Sequence, residues 1–372
     1  MILSPQIQIN KSNFCRLSYY FLKPFMSVEI ILYPKSATKT ALVKFLLSNN
    51  FIKAKHFIDE MNSPNYIHFM WYKFDNYESF SGVEAMVYKV SPEEKQKYDC
   101  TDWALHTRTR SSGSYEDKEQ QNAIIRLARK QFKGTFYNDA YGTNTYTNLN
   151  DYSKLSPLEK GLRLVASNSV EKLHQIIECL DGYTNKFSDD IAKIPHENTR
   201  LLLITKDPSV VLYNSLMPFL VAVIEYFFGQ CFAHFLRYEP TARSLLIDEK
   251  LKIGIADVMS IVQNENSFEQ IVTRSYNFQN IDSISKTYKK YLGIDILSIL
   301  SKKKKTNKKI ARTLAKIQEI LEARHRFVHE LDINYHLTKQ DYLDYVSAVE
   351  NAIKLIVGSF SAKGLQVEIN YH

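Results

Sequence analysis

The sequence predicts an α+β N-terminal domain followed by an all-α helical-bundle C-terminal domain. Up to residue 150, short β-branched and aromatic runs alternate with amphipathic helical patterns. From Ser156 onward the strand signals disappear and apolar residues recur at helical spacing. The loop Tyr141–Leu155, rich in Asn, Thr, Tyr and Asp, is typical of a boundary. We therefore expect an extension at 1–25, an α+β domain at 26–150, a helical connector at 151–199, a helical domain at 200–362 and a tail at 363–372.

The elements of the first domain follow from short local patterns. Alternating apolar residues predict strands, and three- to four-residue spacing predicts helices. Met26, directly before the first strand, is an alternative start of the protein. The order is compatible with an antiparallel sheet that carries two helices. The predicted elements are strand Ser27–Tyr33, helix Ala37–Asn49 capped by Ser36 or Thr38, strands Tyr66–Phe74, Val83–Val90 and Asp102–Arg110, helix Glu116–Phe132, and strand Thr135–Asn138.

The second domain is predicted to consist of helices alone. Pro157 marks the start of the first one, because proline is favoured at the first position of a helix. The predicted helices are Leu158–Leu180, Val210–Leu236, Ile255–Gln263, Phe268–Tyr276, Ile281–Leu292, Ile294–Leu300, Asn307–Val328 and Lys339–Phe360.

One of these helices, Val210–Leu236, is long and apolar enough to span a bilayer. It nevertheless contains Asn214, Glu225, Gln230 and His234, and a glutamate at mid-span is expensive in lipid. We therefore predict a buried helix of a soluble bundle and no membrane partner.

Composition narrows the class of protein further. Hydrophobic residues make up 45% of the chain and charged residues 24%, as in an ordinary globular protein, and the net charge of +8 is mildly basic. No two cysteines are close in sequence, so neither a disulfide framework nor a cysteine-based zinc site is expected. The sequence thus indicates a protein of the reducing cytoplasm without a cofactor. The cysteines are Cys15, Cys100, Cys179 and Cys231.

The helix predicted over Asn307–Val328 carries the strongest candidate site. Its apolar stripe continues through Arg324, which places this arginine on the inward-facing side. A buried charge is costly without a partner. That partner is either Glu225 of the apolar helix or a phosphate group, whose two oxygens fit the forked guanidinium donors.

His329 follows Arg324 by five residues, which is about 140° around an ideal helix. The two side chains therefore converge only if the helix ends or bends near Val328, or if each faces a second subunit. Glu330 and Asp332 come next, although anions are disfavoured at the end of a helix. This placement indicates a functional or pairing constraint.

His325 and His329 are four residues apart and share one helix face, as two zinc ligands would. However, Arg326 stands where a zinc protease motif would have its glutamate, and a cation opposes metal binding. The sequence therefore favours a site without a metal. Two surface histidines beside a structural arginine remain a further alternative.

The segment Arg324–His329 resembles the signature of the HEPN superfamily: an arginine, a polar residue, three more positions and a histidine. His325 occupies the polar position, where that superfamily commonly has Asn, Asp or His. Phe278–Ile284 and Lys289–Asp295 resemble the middle of bacterial HEPN proteins of unassigned or toxin-like function, and Leu216–Phe228 resembles their first long helix.

The resemblance implies a homodimer that cleaves RNA without metal at a cleft shared by two motifs, in cellular or anti-phage defence. It makes His329 the general acid and base, Arg324 the phosphate clamp and His325 an auxiliary that orients or polarises. Glu225 and Arg326 are candidates for a supporting role. The alternative is a HEPN-like module that binds RNA, nucleotide or protein without cleaving it.

Two basic surfaces are candidates for nucleic-acid contacts, and a plain solvated face is the alternative for each. A lysine-rich run precedes the motif helix and could guide RNA phosphates. On the strand Asp102–Arg110, three cations share one face and could form a second anion surface. The run contains Lys302, Lys303, Lys304, Lys305, Lys308, Lys309 and Arg312, and the strand contains His106, Arg108 and Arg110.

Overall fold

A computed structural model describes most of the chain, in two compact units that divide after Lys154. The predicted extension 1–25 lies outside the described residues. The residues described are 27–54, 65–73, 79–183, 187, 190–191, 193–247, 249, 251–263, 265–301, 304–306, 309–311 and 313–369.

The first unit is built on a seven-stranded antiparallel sheet with the strand order β2-β3-β4-β5-β1-β6-β7. β1 is central, since it pairs with β5 on one side and with β6 on the other. Its residues alternate, so that Ile30 and Leu32 are buried while Glu29 points to the opposite face. The strands are β1 (Ser27–Tyr33), β2 (Ile52–Lys53), β3 (Tyr66–Trp71), β4 (Val83–Lys89), β5 (Trp103–Arg110), β6 (Thr135–Asn138) and β7 (Gly142–Thr143).

Two amphipathic helices cover the apolar face of this sheet. α1 (Lys39–Ser48) and α3 (Tyr115–Phe132) bury one side against the strands, in a core that includes Leu46 and Ile125. Thr38 caps α1 by accepting the N–H of Ala41, as predicted. The predicted antiparallel sheet and these two predicted helices are therefore confirmed.

A third helix and two short strands of this unit were not predicted. α2 (Pro92–Tyr98) begins at the capping box formed by Ser91 and Glu94 and has no buried residue. It therefore lacks the apolar periodicity on which helix prediction depends. β2 and β7 have two residues each, too few for an alternating pattern.

The second unit is mostly helical, but it does not consist of helices alone as predicted, because residues 304–306 and 309–311 form a two-stranded hairpin. Its main helices share one apolar core, in which Leu162, Ile224, Ile284, Ile320 and Ile353 are all buried. The helices are α4 (Pro157–Gly182), α5 (Glu197–Ile204), α6 (Pro208–Tyr238), α7 (Pro240–Ile247), α8 (Ile255–Val262), α9 (Phe268–Thr273), α10 (Ile281–Leu292), α11 (Ile296–Leu300), α12 (Thr313–His325) and α13 (Lys339–Phe360).

The long apolar helix α6 lies in this core, where it packs against α4, α9, α12 and α13. Among the described residues it is also the one helix that could cross a membrane by length and composition, and half of its most apolar stretch is buried inside the protein. Its packing confirms the prediction of a buried bundle helix.

Three predictions for the second unit need correction. α4 packs on α6, so residues 155–182 belong to the helical unit and not to a connector. The predicted tail is partly packed, because the N–H of Gln366 donates to Glu159 at 2.7 Å and Val367 is buried. The motif helix begins at Thr313 and not at Asn307, and a hairpin of β8 (Lys304–Thr306) and β9 (Lys309–Ala311) precedes it. Cations are disfavoured at a helix start, which agrees with the later beginning.

Candidate functional site

The motif lies where α12 changes into a short π helix, Arg326–Glu330, which we call the π turn. The carbonyl of Arg326 accepts the N–H of Leu331, and also that of Asp332 at 3.3 Å. Leu331 has a left-handed backbone with φ of 54°. A wider turn and a left-handed residue therefore end the helix directly after His329.

This turn brings the two key side chains of the motif together. Five residues are 140° apart on an ideal α helix, and the wider π turn, whose hydrogen bonds span five residues, reduces that angle. Nη1 of Arg324 accordingly lies 3.4 Å from Nε2 of His329. The bend near Val328, one of the two ways in which the sequence allowed them to meet, is present within a single chain.

The contact has one possible direction as a hydrogen bond. A guanidinium has only donors, so in this bond Nη1 of Arg324 donates and Nε2 of His329 accepts. At 3.4 Å this is a long hydrogen bond. The electron pair of Nε2 faces Arg324 in this bond, and it becomes available to a proton when the guanidinium turns its donors to another acceptor, such as a phosphate.

The second histidine of the motif is adjacent. The rings of His325 and His329 have centroids 4.8 Å apart and planes inclined by 47°. Both residues are exposed. Within the described part of the chain, no group of three or more His, Cys, Asp or Glu side chains could hold a metal ion. The pair therefore lacks the third protein ligand that zinc sites usually have.

The surroundings of Arg324 differ from the sequence prediction. Arg324 is only partly buried, and Val328 is 41% exposed. The fully buried positions of this helix end with Ile317 and Ile320, and after them Leu321 and Ala323 are only partly buried against the core. Arg324 thus lies at the margin of the helix–core contact and not on its seam.

Glu225, predicted to pair with or support Arg324, is exposed on α6 and accepts a hydrogen bond from Nε2 of Gln279 at 2.9 Å. No carboxylate among the described residues forms an ion pair with Arg324. The predicted salt bridge between Arg324 and Glu225 is therefore wrong. The guanidinium of Arg324 keeps donors for another acceptor.

Arg326, the other supporting candidate, pairs with Asp332 across the π turn at 3.7 Å. Both side chains are about half exposed. The pair gives Asp332, two residues after the π turn, a cationic partner. The unusual acid was visible in the sequence, but its partner was not.

The basic run before the motif helix is only partly described. Its lysines 304, 305 and 309 belong to the backbone of the β8–β9 hairpin. Contacts of this run with RNA therefore remain a prediction. Its other members, Lys302, Lys303, Lys308 and Arg312, lie outside the described residues.

The proposed second anion surface on β5 is balanced by acids. His106 and Arg108 do share one face, but Glu29 of β1 lies between them, 3.1 Å from Nε2 of His106 and 3.7 Å from Nε of Arg108. Glu84 is the register partner of Arg108 on β4. Arg110 is the exposed third member. A strong anion site is therefore not formed by His106 and Arg108, and the strand order that brings Glu29 to them is not visible in local sequence.

The first unit also has an open cavity of about 440 Å³ along α3. It combines an indole, two cations, two carboxylates and side-chain amides, and its size is within the range of small-molecule sites. The cavity was not predicted, because its lining comes from separate elements. The described lining residues are Trp71, Lys73, Glu116, Glu119, Gln120, Asn122, Ala123, Arg126 and Leu149.

Comparisons with known proteins add no family to these observations. No protein-family model, no curated protein and no solved structure matches the chain. The resemblance at Arg324–His329 therefore depends on the motif and its helical setting.

Proposed function

We propose that this protein is a metal-independent endoribonuclease of the HEPN type, with an active site composed of the motifs of two copies. The observation that carries the proposal is the 3.4 Å contact between Arg324 and His329 at the solvent-facing end of α12. It joins a proton acceptor and a fixed cation, the two groups that RNA cleavage by a 2′-hydroxyl requires.

In the proposed reaction, Nε2 of His329 takes the proton of a ribose 2′-hydroxyl. The 2′-oxygen then attacks the neighbouring phosphorus, and the bond from phosphorus to the 5′-oxygen breaks. A motif histidine of the partner copy returns a proton to that leaving oxygen. Arg324 stabilises the charge that develops on the phosphoryl oxygens, and His325 orients the reacting groups. The products are a 2′,3′-cyclic phosphate and a 5′-hydroxyl.

Two copies are proposed because one chain offers the motif on an open turn without enclosing walls. Apolar side chains surround this turn, with Val328 41%, Leu331 81% and Tyr335 42% exposed. Exposed apolar groups beside polar catalytic groups are typical of an interface. A two-fold partner would cover them and bring a second motif opposite the first.

The proposed biological setting is cellular or anti-phage defence, in the cytoplasm. A nuclease that recognises RNA through its backbone and 2′-hydroxyl must be held in check by the cell that makes it. The first unit is the natural candidate for that control, since it supplies none of the motif residues.

The experiment is RNA cleavage in EDTA by the wild type, His329→Ala and the control His336→Ala, which removes an exposed histidine from the segment after the motif. We expect the wild type and the control to cleave equally, and His329→Ala to lose roughly 100-fold or more in rate. Loss of wild-type activity on chelation would favour a metal site. Equal cleavage by all three proteins would remove His329 from the mechanism, and RNA binding without cleavage would favour the non-catalytic module.

A further inference from the structure

The apolar helix α6 carries a buried amide that faces the segment following the motif. Asn214 is 4% exposed. Its Oδ1 accepts the backbone N–H of Asn334 at 3.0 Å, and its Nδ2 donates to the carbonyl of Asn334 at 3.0 Å. Nδ2 also donates to the carbonyl of Val210 at 2.8 Å. A single side chain thus holds the backbone N–H and the backbone carbonyl of one residue that is 120 positions away in sequence.

Such a residue is unusual in the most apolar helix of the protein. Burying an amide is unfavourable unless its donors and acceptor are satisfied, and Asn214 meets that condition only through Asn334 and Val210. A leucine or alanine would suit a core helix as well. The two bonds to Asn334, however, fix both the position and the direction of a backbone segment, which an apolar contact does not do.

That backbone segment directly follows the π turn. The turn ends at Leu331, whose N–H, like that of Asp332, bonds to the carbonyl of Arg326. Asn334 lies three residues after Leu331. The turn that carries His329 is therefore fixed at its start by the end of α12 and, shortly after its end, by Asn214.

A second contact holds the next helix to the same part of α6. The hydroxyl of Tyr342 on α13 donates to the carbonyl of Leu216 at 3.1 Å. Tyr342 also stacks on Tyr213, with ring centroids 6.3 Å apart. One turn of α6 thus serves as the platform on which the segment between the motif and α13 is placed.

We propose that Asn214 is a positioning residue of the ribonuclease site, which clamps the Asn334 backbone so that the π turn holds His329 beside Arg324. The inference rests on the proposed function. The hydrogen bonds of Asn214 go to backbone atoms of Val210 and Asn334, so it acts through the backbone and not on the substrate.

The test uses the full chain with Asn214→Ala, and Ile284→Val or Ile284→Ala as controls. Ile284 is fully buried on α10. Of these two variants, the control is the one whose loss of stability in urea equals that of Asn214→Ala. Two quantities are measured: the single-turnover cleavage rate at saturating RNA, and the imidazole NMR resonances of His329. We expect Asn214→Ala to cleave roughly 10- to 100-fold more slowly than the wild type, with unchanged RNA affinity and shifted His329 resonances. The control should keep both the rate and the resonances.

The proposal is overturned if Asn214→Ala cleaves at the wild-type rate, if the control slows equally, or if the rate falls while the His329 resonances stay in place. If Asn214→Ala does not fold, Asn214→Ser takes its place. A serine hydroxyl can bond back to Val210 within the helix but cannot make both bonds to Asn334.

If the wild-type protein does not cleave RNA, the proposed function is refuted. The role of Asn214 in holding the Asn334 backbone can still be tested. In that case, shifted His329 resonances in Asn214→Ala alone would support the clamp, and unchanged resonances would refute it.

Discussion

His234 is buried in α6, where a protonated ring would be poorly solvated. Burial lowers the pKa of His234 to about 4, and Arg237 adds a smaller repulsion that also lowers this pKa. α4 approaches so closely that a Cβ at Gly161 would lie 2.8 Å from Nδ1 of His234. A Cβ at this crossing would therefore force the ring of His234 to move, and the ring is held neutral between two core helices.

This burial makes stability depend on pH in a defined direction. In the unfolded chain His234 has an ordinary pKa near 6.5, so between about pH 6.5 and pH 4 the unfolded state binds more protons than the folded state. The contribution of His234 to the free energy of unfolding is complete above about pH 6.5. It declines as pH falls towards 4, by about 3 kcal/mol in total.

We expect His234→Gln to lose part of this dependence, because glutamine does not titrate. The measurement is urea unfolding of the helical unit at about pH 7.5 and about pH 4.5. Carboxylates contribute equally to both proteins, so the difference between them isolates His234. An identical loss of stability in wild type and variant would contradict this assignment.

The π turn is the element on which the candidate site depends, and Leu331 ends it in a strained conformation. Its φ of 54° is a region that favours glycine, and its side chain is 81% exposed, so little packing offsets the strain. We expect Leu331→Gly to be more stable than Leu331→Ala by on the order of 1 kcal/mol, after the greater freedom of glycine in the unfolded chain is subtracted. The alanine variant keeps the Cβ and is the matched control in urea unfolding. A glycine variant no more stable than the alanine variant would show that the left-handed turn is not strained.

Helices and strands with a clear periodicity of apolar residues could be predicted, and those without it could not. The bounds of β1, α10 and α13 agree with the residue patterns, because their apolar faces are buried along the whole element. The polar helix α2 buries nothing and gave no pattern. The π turn depends on how the end of α12 meets its surroundings, which periodicity along one helix does not contain.

At the scale of the whole molecule, each unit has its own core, and Asp117 organises the first one. The fully buried carboxylate of Asp117 joins the start of α3 to the loop before β4. It accepts hydrogen bonds from Oγ of Ser79 at 2.5 Å and from the backbone N–H groups of Phe80 at 3.0 Å, Ser81 at 3.0 Å, Gly82 at 3.2 Å and Ser114 at 2.8 Å.

Asp117→Asn replaces an acceptor by a donor at this junction and leaves N–H groups unpaired. We expect a loss of about 3 kcal/mol, confined to the first unit. Amide hydrogen exchange measures the two units separately. In Asp117→Asn, protection should fall in β4 and β5 but not in α6. Ile320→Ala, in the other core, should show the reverse pattern. Equal loss of protection in both units by either variant would mean that the two cores unfold as one.

The residues of the candidate site could be predicted, but the residues that pair with them could not. Arg324, His325 and His329 could be singled out because their spacing and setting are local in sequence. The predicted partner Glu225 was wrong, and the pairs Arg326–Asp332 and Asn214–Asn334 were missed, because both depend on where the chain turns after His329. Polar pairs of this kind leave no periodic pattern in the sequence.

The chemical nature of the product ends tests the proposed reaction most directly. RNA cut by the wild-type protein in EDTA should carry 2′,3′-cyclic phosphate and 5′-hydroxyl ends, and a substrate with 2′-deoxyribose at the cut should stay intact, since His329 then has no hydroxyl to deprotonate. Products with 5′-phosphate ends, or cleavage of the deoxy-substituted substrate, would contradict attack by the 2′-oxygen and with it the roles assigned to Arg324 and His329.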